Sequence, residues 1–365
     1  MDQMQYDTDY FNEFNISEYY FNEMHDGFME NINPRSITYA LFLDIWTLIT
    51  NIIVVYVNVT GRKKKVSGYD AQLVNLCATN LIIAAFVIPL TIHHMTGSWN
   101  FGEFMCKIYV AADVIVPFTS IIIIIMLTID RMVAFSHPNL YDWMFETSCC
   151  KCIIILPWLT SLLIVVPFWT AATMPHEEQS AVCLVIINEE AAIACPIITF
   201  FIPFAILVVL IVSLFVQQRK YITHTHLMTK VNEDPHSDVA EEHGTGIIGT
   251  RVVDMETNGQ ENMNCVTTTH RSIVTLCLLS FVFCLLWLPY QLLSIMMSFC
   301  HMTSCVPSPE MIQLVTWLGT STAGIIPMII LVDRHTRDKL CRCCCVSLSG
   351  HEVDIEASQS EVTYL

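Results

Sequence analysis

The sequence predicts an all-α membrane protein, a seven-transmembrane helix bundle followed by a short amphipathic C-terminal helix. Three observations predict this fold class: seven long apolar runs, a scarcity of charge, and an uneven placement of the basic residues. Of the 365 residues, 54% are hydrophobic and only 14% are charged, and the mean hydropathy is +0.53. Soluble proteins carry about 25% charged residues, so an ordinary soluble fold is excluded.

Each apolar run is long enough for a helix that crosses a bilayer, which needs about 20 residues. The runs are continuous and do not alternate as the strands of membrane barrels do. A backbone inside lipid must satisfy its own hydrogen bonds, so the runs are predicted to be helices. The predicted spans are Ile37–Val59, Leu73–His93, Cys106–Phe135, Cys152–Thr170, Ala191–Val216, Ser272–Phe299 and Met311–Val332.

The basic residues predict the orientation of the chain. With the N-terminus outside, only Arg35 and Lys107 fall on the outer side, and the other 15 of the 17 basic residues fall on or near the inner side. This positive-inside pattern predicts a multi-pass membrane protein with a cytoplasmic C-terminus, and we expect it in the plasma membrane. Residues 1–35 would be an extracellular tail without the pattern of a signal peptide, 36–333 the seven-helix domain, and 334–365 a cytoplasmic tail.

The net charge of −17 disfavours a nucleic-acid partner, which would need a basic face. We expect no cofactor, no metal site and no enzymatic activity. The inner loop 217–271 is polar and without apolar periodicity, so we expect it to be largely disordered.

Several short patterns predict covalent modification or partner binding. Asn15 begins an outer Asn-Ile-Ser glycosylation sequon. Thr363 and Leu365, at the C-terminus, resemble a PDZ-domain ligand. Outer cysteines lie on the oxidising side, where two disulfides are expected and four free thiols are the alternative; these are Cys106, Cys183, Cys300 and Cys305. A cysteine cluster directly after the last span predicts palmitoylation; its members are Cys341, Cys343, Cys344 and Cys345.

The third span contains two charged sites, Asp113 and the Asp130–Arg131 pair. They are 18 residues apart, which is about 27 Å along a helix. Ionisable groups inside a membrane are costly and usually functional, and a carboxylate there prefers a cationic partner. No Lys or Arg lies at comparable depth in another span, so Asp113 is a candidate to bind a protonated amine ligand. The alternative is a hydrogen-bonded structural Asp, as we interpret Asp44.

Aromatic residues in the outer halves of spans six and seven favour the amine interpretation, because ring faces stabilise an ammonium by roughly 0.5–2 kcal/mol each. They are Trp287, Tyr290 and Trp317. The alternative for these rings is core packing or contact with lipid.

Motifs in all seven spans carry a family resemblance through their common order and spacing. They are Asn51, Leu76–Asn80, Pro89, Trp99–Gly102, Cys106, Asp130-Arg131-Met132, Trp158, Pro203 and Phe283 to Tyr290. In these motifs the chain resembles the rhodopsin-like G-protein-coupled receptors, and among them the biogenic-amine receptors for histamine, acetylcholine or serotonin.

The resemblance implies a small cationic amine ligand, a heterotrimeric G protein and possible binding of arrestin. It implies that Cys106 pairs with Cys183 and Cys300 with Cys305. In this family Trp287 would sense the ligand, while Asp130, Arg131, Phe283 and Pro289 would belong to the G-protein switch. The implied ligand-binding residues are Asp113, Val114, Pro117, Thr199, Trp287, Tyr290, Gln291 and Trp317.

The chain departs from the family at its inner polar network. Asn80 stands where the family has Asp, and Ile326 and Ile330 replace the Asn and Tyr of the seventh-span motif. A receptor-like decoy or scaffold with impaired switching is therefore one alternative function. A receptor for a non-amine ligand such as a basic peptide is another, because the N-terminal tail is acidic.

Overall fold

The structure is a computed structural model. It describes residues 34–60, 68–95, 99–137, 140–141, 149–172, 183, 189–233, 248–299, 307–333 and 336–340. Within these ranges seven helices are long and apolar enough to cross a membrane, which confirms the predicted seven-helix bundle. The fourth span, Cys152–Thr170, coincides with its prediction, and the other bounds differ by about five residues or fewer.

We number the helices in chain order. Helix α2 contains a π turn at Ile83–Val87, α5 contains one at Ile197–Phe201, and α7 is interrupted at Ser321. The bounds are α1 Pro34–Thr60, α2 Gly68–Ile82 with Ile88–Met95, α3 Gly102–Ser136, α4 Cys149–Ala172, α5 Glu189–Pro196 with Ile202–Glu233, α6 Ile248–Ser298, α7 Pro309–Thr320 with Thr322–Val332, and α8 at residues 336–340.

Each π turn ends two residues before a proline, Pro89 in α2 and Pro203 in α5. Proline has no N–H and clashes with the carbonyl one turn earlier, so the preceding turn widens. In α5 the widened turn contains Thr199 and Phe200, and it therefore sets the direction in which these side chains point into the bundle.

Helix α3 lies at the centre of the bundle and packs against α2, α4, α5 and α6. Its isoleucine-rich segment is the core, because Ile121, Ile123, Ile124 and Leu127 are fully buried. Large apolar side chains elsewhere face outward, for example Leu163 on α4 with 73% exposure. Such exposure suits a surface solvated by lipid.

The loop between the fifth and sixth spans contains helical segments. Residues 217–233 continue α5 and residues 248–271 begin α6, whereas residues 234–247 lie outside the described part. The apolar spans already form nucleated helices, and adding residues to a formed helix costs less than starting one. Helix α5 ends at Glu233, two residues before Pro235, as expected because the residue before a proline disfavours helical geometry.

The short helix α8 is tied to the bundle by a buried lysine. Lys339 is 8% exposed, and its Nζ lies 2.7 Å from Oδ2 of Asp70 and 3.2 Å from Oδ1 of Asn58. Arg337 and Asp338, on its other side, are exposed. Helix α8 is therefore amphipathic, as predicted, and its buried face joins α1 to α2.

Candidate functional site

A cavity of about 190 Å³ opens between α3, α4, α5 and α6, at the end of the bundle that holds Cys106 and Cys183. Seven of the eight predicted ligand-binding residues line it. Its walls are Val110, Asp113, Val114, Pro117, Phe118, Trp169, Ala192, Cys195, Pro196, Thr199, Phe200, Phe283, Trp287, Tyr290, Gln291 and Ser294.

Asp113 supplies the negative charge of this cavity. Four cavity residues lie on one face of α3, namely Val110, Asp113, Val114 and Pro117. Val110 lies three and four residues before the adjacent pair Asp113 and Val114, and Pro117 lies four and three residues after it, which is the spacing of one helical face. Within the described part of the chain, the Asp113 carboxylate forms no ion pair and no side-chain hydrogen bond. Its charge is therefore directed into the cavity without a counter-ion from the described residues.

Trp287 forms the floor of the cavity and is held from several sides. Its Nε1 donates to Oγ1 of Thr322 at 3.1 Å. Its ring meets Tyr290 edge-on at 5.7 Å and lies 6.2 Å from the ring of Phe283. The absence of a side chain at Gly319 allows this approach, since a Cβ there would lie 3.2 Å from Cε3 of Trp287.

The polar groups of the remaining walls differ in what they can offer a ligand. The Thr199 hydroxyl donates to the carbonyl of Cys195 at 2.7 Å, so its proton is already used. Gln291 has no side-chain hydrogen bond to any described residue. The Trp169 indole N–H is buried without a partner in the described ranges. The Gln291 amide and the Trp169 N–H are thus available for a polar group on a ligand.

Nine of the sixteen cavity residues were not among the predicted ligand-binding residues. Phe283 was predicted for the switch instead, and Cys195 and Pro196 lie four and three residues before Thr199 on the same helix. Val110 and Ser294 lie three residues from Asp113 and Gln291 respectively, so helical spacing was a usable signal for them. Phe118 and Phe200 are adjacent to predicted residues and point inward through packing. Trp169 and Ala192 carry no sequence signal, because their positions depend on how α4 and α5 meet α3.

Trp317, the eighth predicted ligand-binding residue, does not line the cavity. Its Nε1 donates to Oγ of Ser36 on α1 at 2.8 Å. The ring is 4% exposed and lies in a core cluster with Ala40 and Leu43. The side chain of Trp317 therefore joins α7 to α1.

Cys106 and Cys183 form a disulfide, as predicted. The bond holds the chain segment at Cys183 against the N-terminal end of α3, where Nε2 of His94 lies 3.2 Å from the Cys183 carbonyl. His93 and His94 contact the ring of Trp99. Other predicted modification and partner sites lie outside the described residues, namely Asn15, Cys300, Cys305, Cys341, Cys343, Cys344, Cys345, Thr363 and Leu365.

At the opposite end of α3, the guanidinium group of Arg131 is fixed by contacts with three neighbouring side chains. Its Nε donates to Oδ2 of Asp130 at 2.9 Å, and its Nη2 donates to the Tyr141 hydroxyl at 3.1 Å. The guanidinium carbon lies 4.4 Å from the centre of the Tyr69 ring. The predicted Asp130–Arg131 pair is thus formed, and Tyr69 covers one face of the arginine.

Two further links organise the interior between these ends. Nδ2 of Asn80 donates to Oδ1 of Asn51 at 3.0 Å, and Nδ2 of Asn51 donates to the Ala323 carbonyl at 2.9 Å, joining α1, α2 and α7. Near the end of the bundle that holds Arg131, the Thr275 hydroxyl donates to Oδ1 of Asp333 at 2.9 Å, joining α6 to the end of α7. Pro289 lies within α6 at the level of the cavity, between the lining residues Trp287 and Tyr290.

Comparison with known proteins adds a family assignment to this geometry. Residues 50–330 match the profile of the family described as "7 transmembrane receptor (rhodopsin family)". The D(1B) dopamine receptor of Xenopus laevis is 26% identical over 314 residues, covering 81% of this chain and 66% of that protein. The D(1) dopamine receptor of Carassius auratus is 25% identical (85% and 89% covered), and the 5-hydroxytryptamine receptor 1D of Mus musculus is 26% identical (83% and 87%).

Proposed function

The chain belongs to the rhodopsin family of seven-transmembrane receptors, and on this premise we propose that it binds a small cationic amine and signals through a heterotrimeric G protein. The family consists of receptors, so the chain is a receptor and not an enzyme. Seven apolar helices make it a multi-pass membrane protein. The observation that carries the proposal is the Asp113 carboxylate, which faces the cavity without a counter-ion among the described residues.

The relatives support the amine class of ligand. Their names state that they are receptors for dopamine and for 5-hydroxytryptamine, which are both small amines with one aromatic ring system. A protonated amine of this kind would neutralise Asp113, which is costly to leave charged inside a membrane. The rings of Trp287 and Tyr290 line the same cavity and would stabilise the ammonium group through their faces.

The cavity also restricts the rest of the ligand. A volume of about 190 Å³ is below the usual range of roughly 300–1,000 Å³ for ligand pockets, which favours a small molecule. The α5 wall offers Cys195, Pro196 and a Thr199 hydroxyl whose proton is already donated. A catechol, which needs hydroxyl partners on α5, fits this wall poorly. A ring with one polar group directed toward Gln291 fits better.

We further propose the orientation and partners of the chain. The N-terminal tail, residues 1–35, is extracellular and residues 334–365 are cytoplasmic, in accordance with the positive-inside distribution of basic residues. Arrestin and a PDZ-domain protein are proposed as additional cytoplasmic partners. The family resemblance supports arrestin, and the terminal Thr363-Tyr364-Leu365 supports the PDZ domain.

The test of the amine proposal is the substitution Asp113→Asn, assayed with a panel of biogenic amines that includes dopamine, serotonin and histamine. Removing one partner of a desolvated charge pair costs about 2–5 kcal/mol. We therefore expect the affinity of the activating amine to fall roughly 30-fold or more. Affinity is measured by competition binding and activation by a G-protein sensor, both corrected for surface expression.

Asp44→Asn is the matched control, because Asp44 is also an acid within a span but is not part of the cavity wall. It should leave amine affinity unchanged. An Asp113→Asn variant that reaches the surface and keeps normal amine affinity would contradict the proposal.

A second function is favoured by one observation, the apolar character of the inner part of α7. Ile326 and Ile330 are buried with 1% and 0% exposure, at positions where the family has polar residues. A chain that binds amine but switches weakly, and so acts as a decoy or scaffold, would be consistent with this replacement. The alternative function as a receptor for a basic peptide rests on the acidic character of the N-terminal tail, and residues 1–33 of this tail lie outside the described part of the chain.

A further inference from the structure

A second cavity, of about 370 Å³, lies between α5 and α6 on the outer surface of the bundle. Its rim consists of apolar side chains with substantial exposure, such as Val208 at 43%, Phe281 at 63% and Leu285 at 52%. At this position along the helices the surrounding medium is the hydrocarbon of the bilayer. The cavity is therefore a groove that opens to lipid and not to water.

The floor of the α5–α6 groove offers no free polar group that a water-soluble ligand would require. Phe200 and Leu207 are buried on the α5 side and Cys284 on the α6 side. The most polar residue, Ser280, donates its hydroxyl to the carbonyl of Leu276 at 2.7 Å within its own helix. The groove is thus complementary to hydrocarbon over its whole length.

The length of the α5–α6 groove is close to the thickness of one leaflet of the bilayer. On α6 it runs from Cys277 to Leu288, which is about 16 Å at 1.5 Å per residue. One leaflet of the hydrocarbon core is roughly 15 Å thick, half of about 30 Å. The groove begins four residues from Ile273, the inner end of the span, and ends ten residues from Ser298, the outer end. More of it therefore lies in the inner half of the span than in the outer half.

The width of the groove favours a hydrocarbon chain over a helix as its occupant. The groove holds about 370 Å³ over a length of about 16 Å, so it is long and narrow. A helix with its side chains is about 10–12 Å in diameter. A single hydrocarbon chain can lie inside such a groove, whereas a transmembrane helix of a second copy could only cover it.

We propose that the α5–α6 groove binds one acyl chain of an inner-leaflet phospholipid. The assignment to the inner leaflet rests on the proposed orientation of the chain. The bound chain lies against Phe200, which is stacked on Phe204 at 6.1 Å and is also a wall of the Asp113 cavity. An occupied groove thus supports the α5 wall of that cavity from behind.

The experiment uses the full chain in nanodiscs of phosphatidylcholine, a small fraction of which carries a diazirine in the middle of one acyl chain. After irradiation, cross-linked peptides are identified by mass spectrometry. We expect the groove rim at Phe204, Val208, Phe281 and Leu285 to be labelled several-fold more than Leu163, which is 73% exposed on α4 outside the groove.

Leu285→Trp fills the groove and should reduce rim labelling several-fold, and Leu163→Trp is the matched control that should leave it unchanged. Val208→Phe fills the groove from α5 and serves if the first variant does not fold. Equal labelling of all lipid-facing helices, or rim labelling that persists in a folded, groove-filled variant, would overturn the proposal. The readout needs no amine, so it remains interpretable if the amine proposal fails.

Discussion

At the scale of single residues, the position of the Trp287 indole depends on the absence of a side chain at Gly319. The indole is fixed by its bond to Thr322 and by edge contact with Tyr290, so it cannot move easily. A Cβ at Gly319 would lie 3.2–3.3 Å from three atoms of this ring. Because Trp287 forms the floor of the cavity, a change at Gly319 on α7 acts on the ligand through α6.

We predict that Gly319→Ala displaces Trp287 and lowers both stability and amine affinity. Overpacking a filled interior typically costs about 1–3 kcal/mol, so the thermal unfolding midpoint of the purified receptor should fall. Amine affinity should fall with it, because the cavity floor shifts by a few tenths of an ångström. Thermal unfolding and competition binding measure the two effects.

Gly324→Ala is the matched control for this prediction. A Cβ at Gly324 would lie 3.0 Å from Cδ1 of Trp46, an equally tight contact with a tryptophan that is remote from the cavity. It should lower the unfolding midpoint without changing amine affinity. Equal effects of the two variants on affinity would show that the Gly319–Trp287 contact has no special role in the cavity.

At the scale of helices, the inner ends of α6 and α7 are joined by the hydrogen bond from Thr275 to Asp333. The family mechanism implied by the resemblance requires the inner end of α6 to swing outward. A bond between α6 and α7 opposes this motion, and a hydrogen bond to a charged group contributes about 1.5–3 kcal/mol. The bond would therefore hold the receptor in its closed state.

We predict that Thr275→Val raises basal G-protein activation, by roughly tenfold or more, because valine keeps the shape of threonine but cannot donate. Activation is measured with a G-protein sensor in the absence of amine, at matched surface expression. Thr128→Val is the control, since that hydroxyl donates to Ile124 within α3 and joins no second helix. Basal activity that falls or stays unchanged in Thr275→Val would argue against a restraining bond.

At the scale of the whole molecule, α3 connects the two functional ends. Asp113 faces the cavity near one end, and Arg131 is held by Asp130, Tyr141 and Tyr69 near the other. The polar residues that usually link these ends through α7 are replaced by Ile326 and Ile330. Between these ends the helices are instead joined by packed side chains and by the hydrogen bond between Asn51 and Asn80.

We predict that Arg131→Ala abolishes amine-dependent G-protein activation while leaving amine affinity within a few-fold of the wild type. The reason is that Arg131 lies about 27 Å from Asp113 and does not contact the cavity. The measurement compares sensor activation with competition binding. Arg337→Ala, which removes an exposed inner arginine on α8, is the control and should retain activation.

If the wild-type receptor binds amine but gives no sensor response, and Arg131→Ala does not differ from it, the decoy or scaffold function is favoured over signalling. Binding thus tests the outer end of the molecule and activation tests the connection between the ends.

The order of apolar runs was sufficient to predict the seven helices, because only a helix satisfies the backbone of a single span inside lipid. The family resemblance implied Asp113, Val114 and Pro117 as ligand-binding residues, and the four-residue spacing of Asp113 and Pro117 is consistent with one shared face of α3. These features are local, since a residue's neighbours along one helix are set by the helix geometry itself.

Contacts between helices could not be obtained in this way. Trp317 was expected in the cavity and instead bonds to Ser36, and Trp169 entered the cavity without a sequence signal. The rotation of a helix about its axis, and hence the neighbour that each face meets, follows from packing of whole surfaces. For this reason the chain's apolar runs and charged residues indicate the spans and the charged site. The contacts of Arg131 with Tyr69 and Tyr141, the Thr275–Asp333 bond and the α5–α6 groove exist only once the helices are assembled.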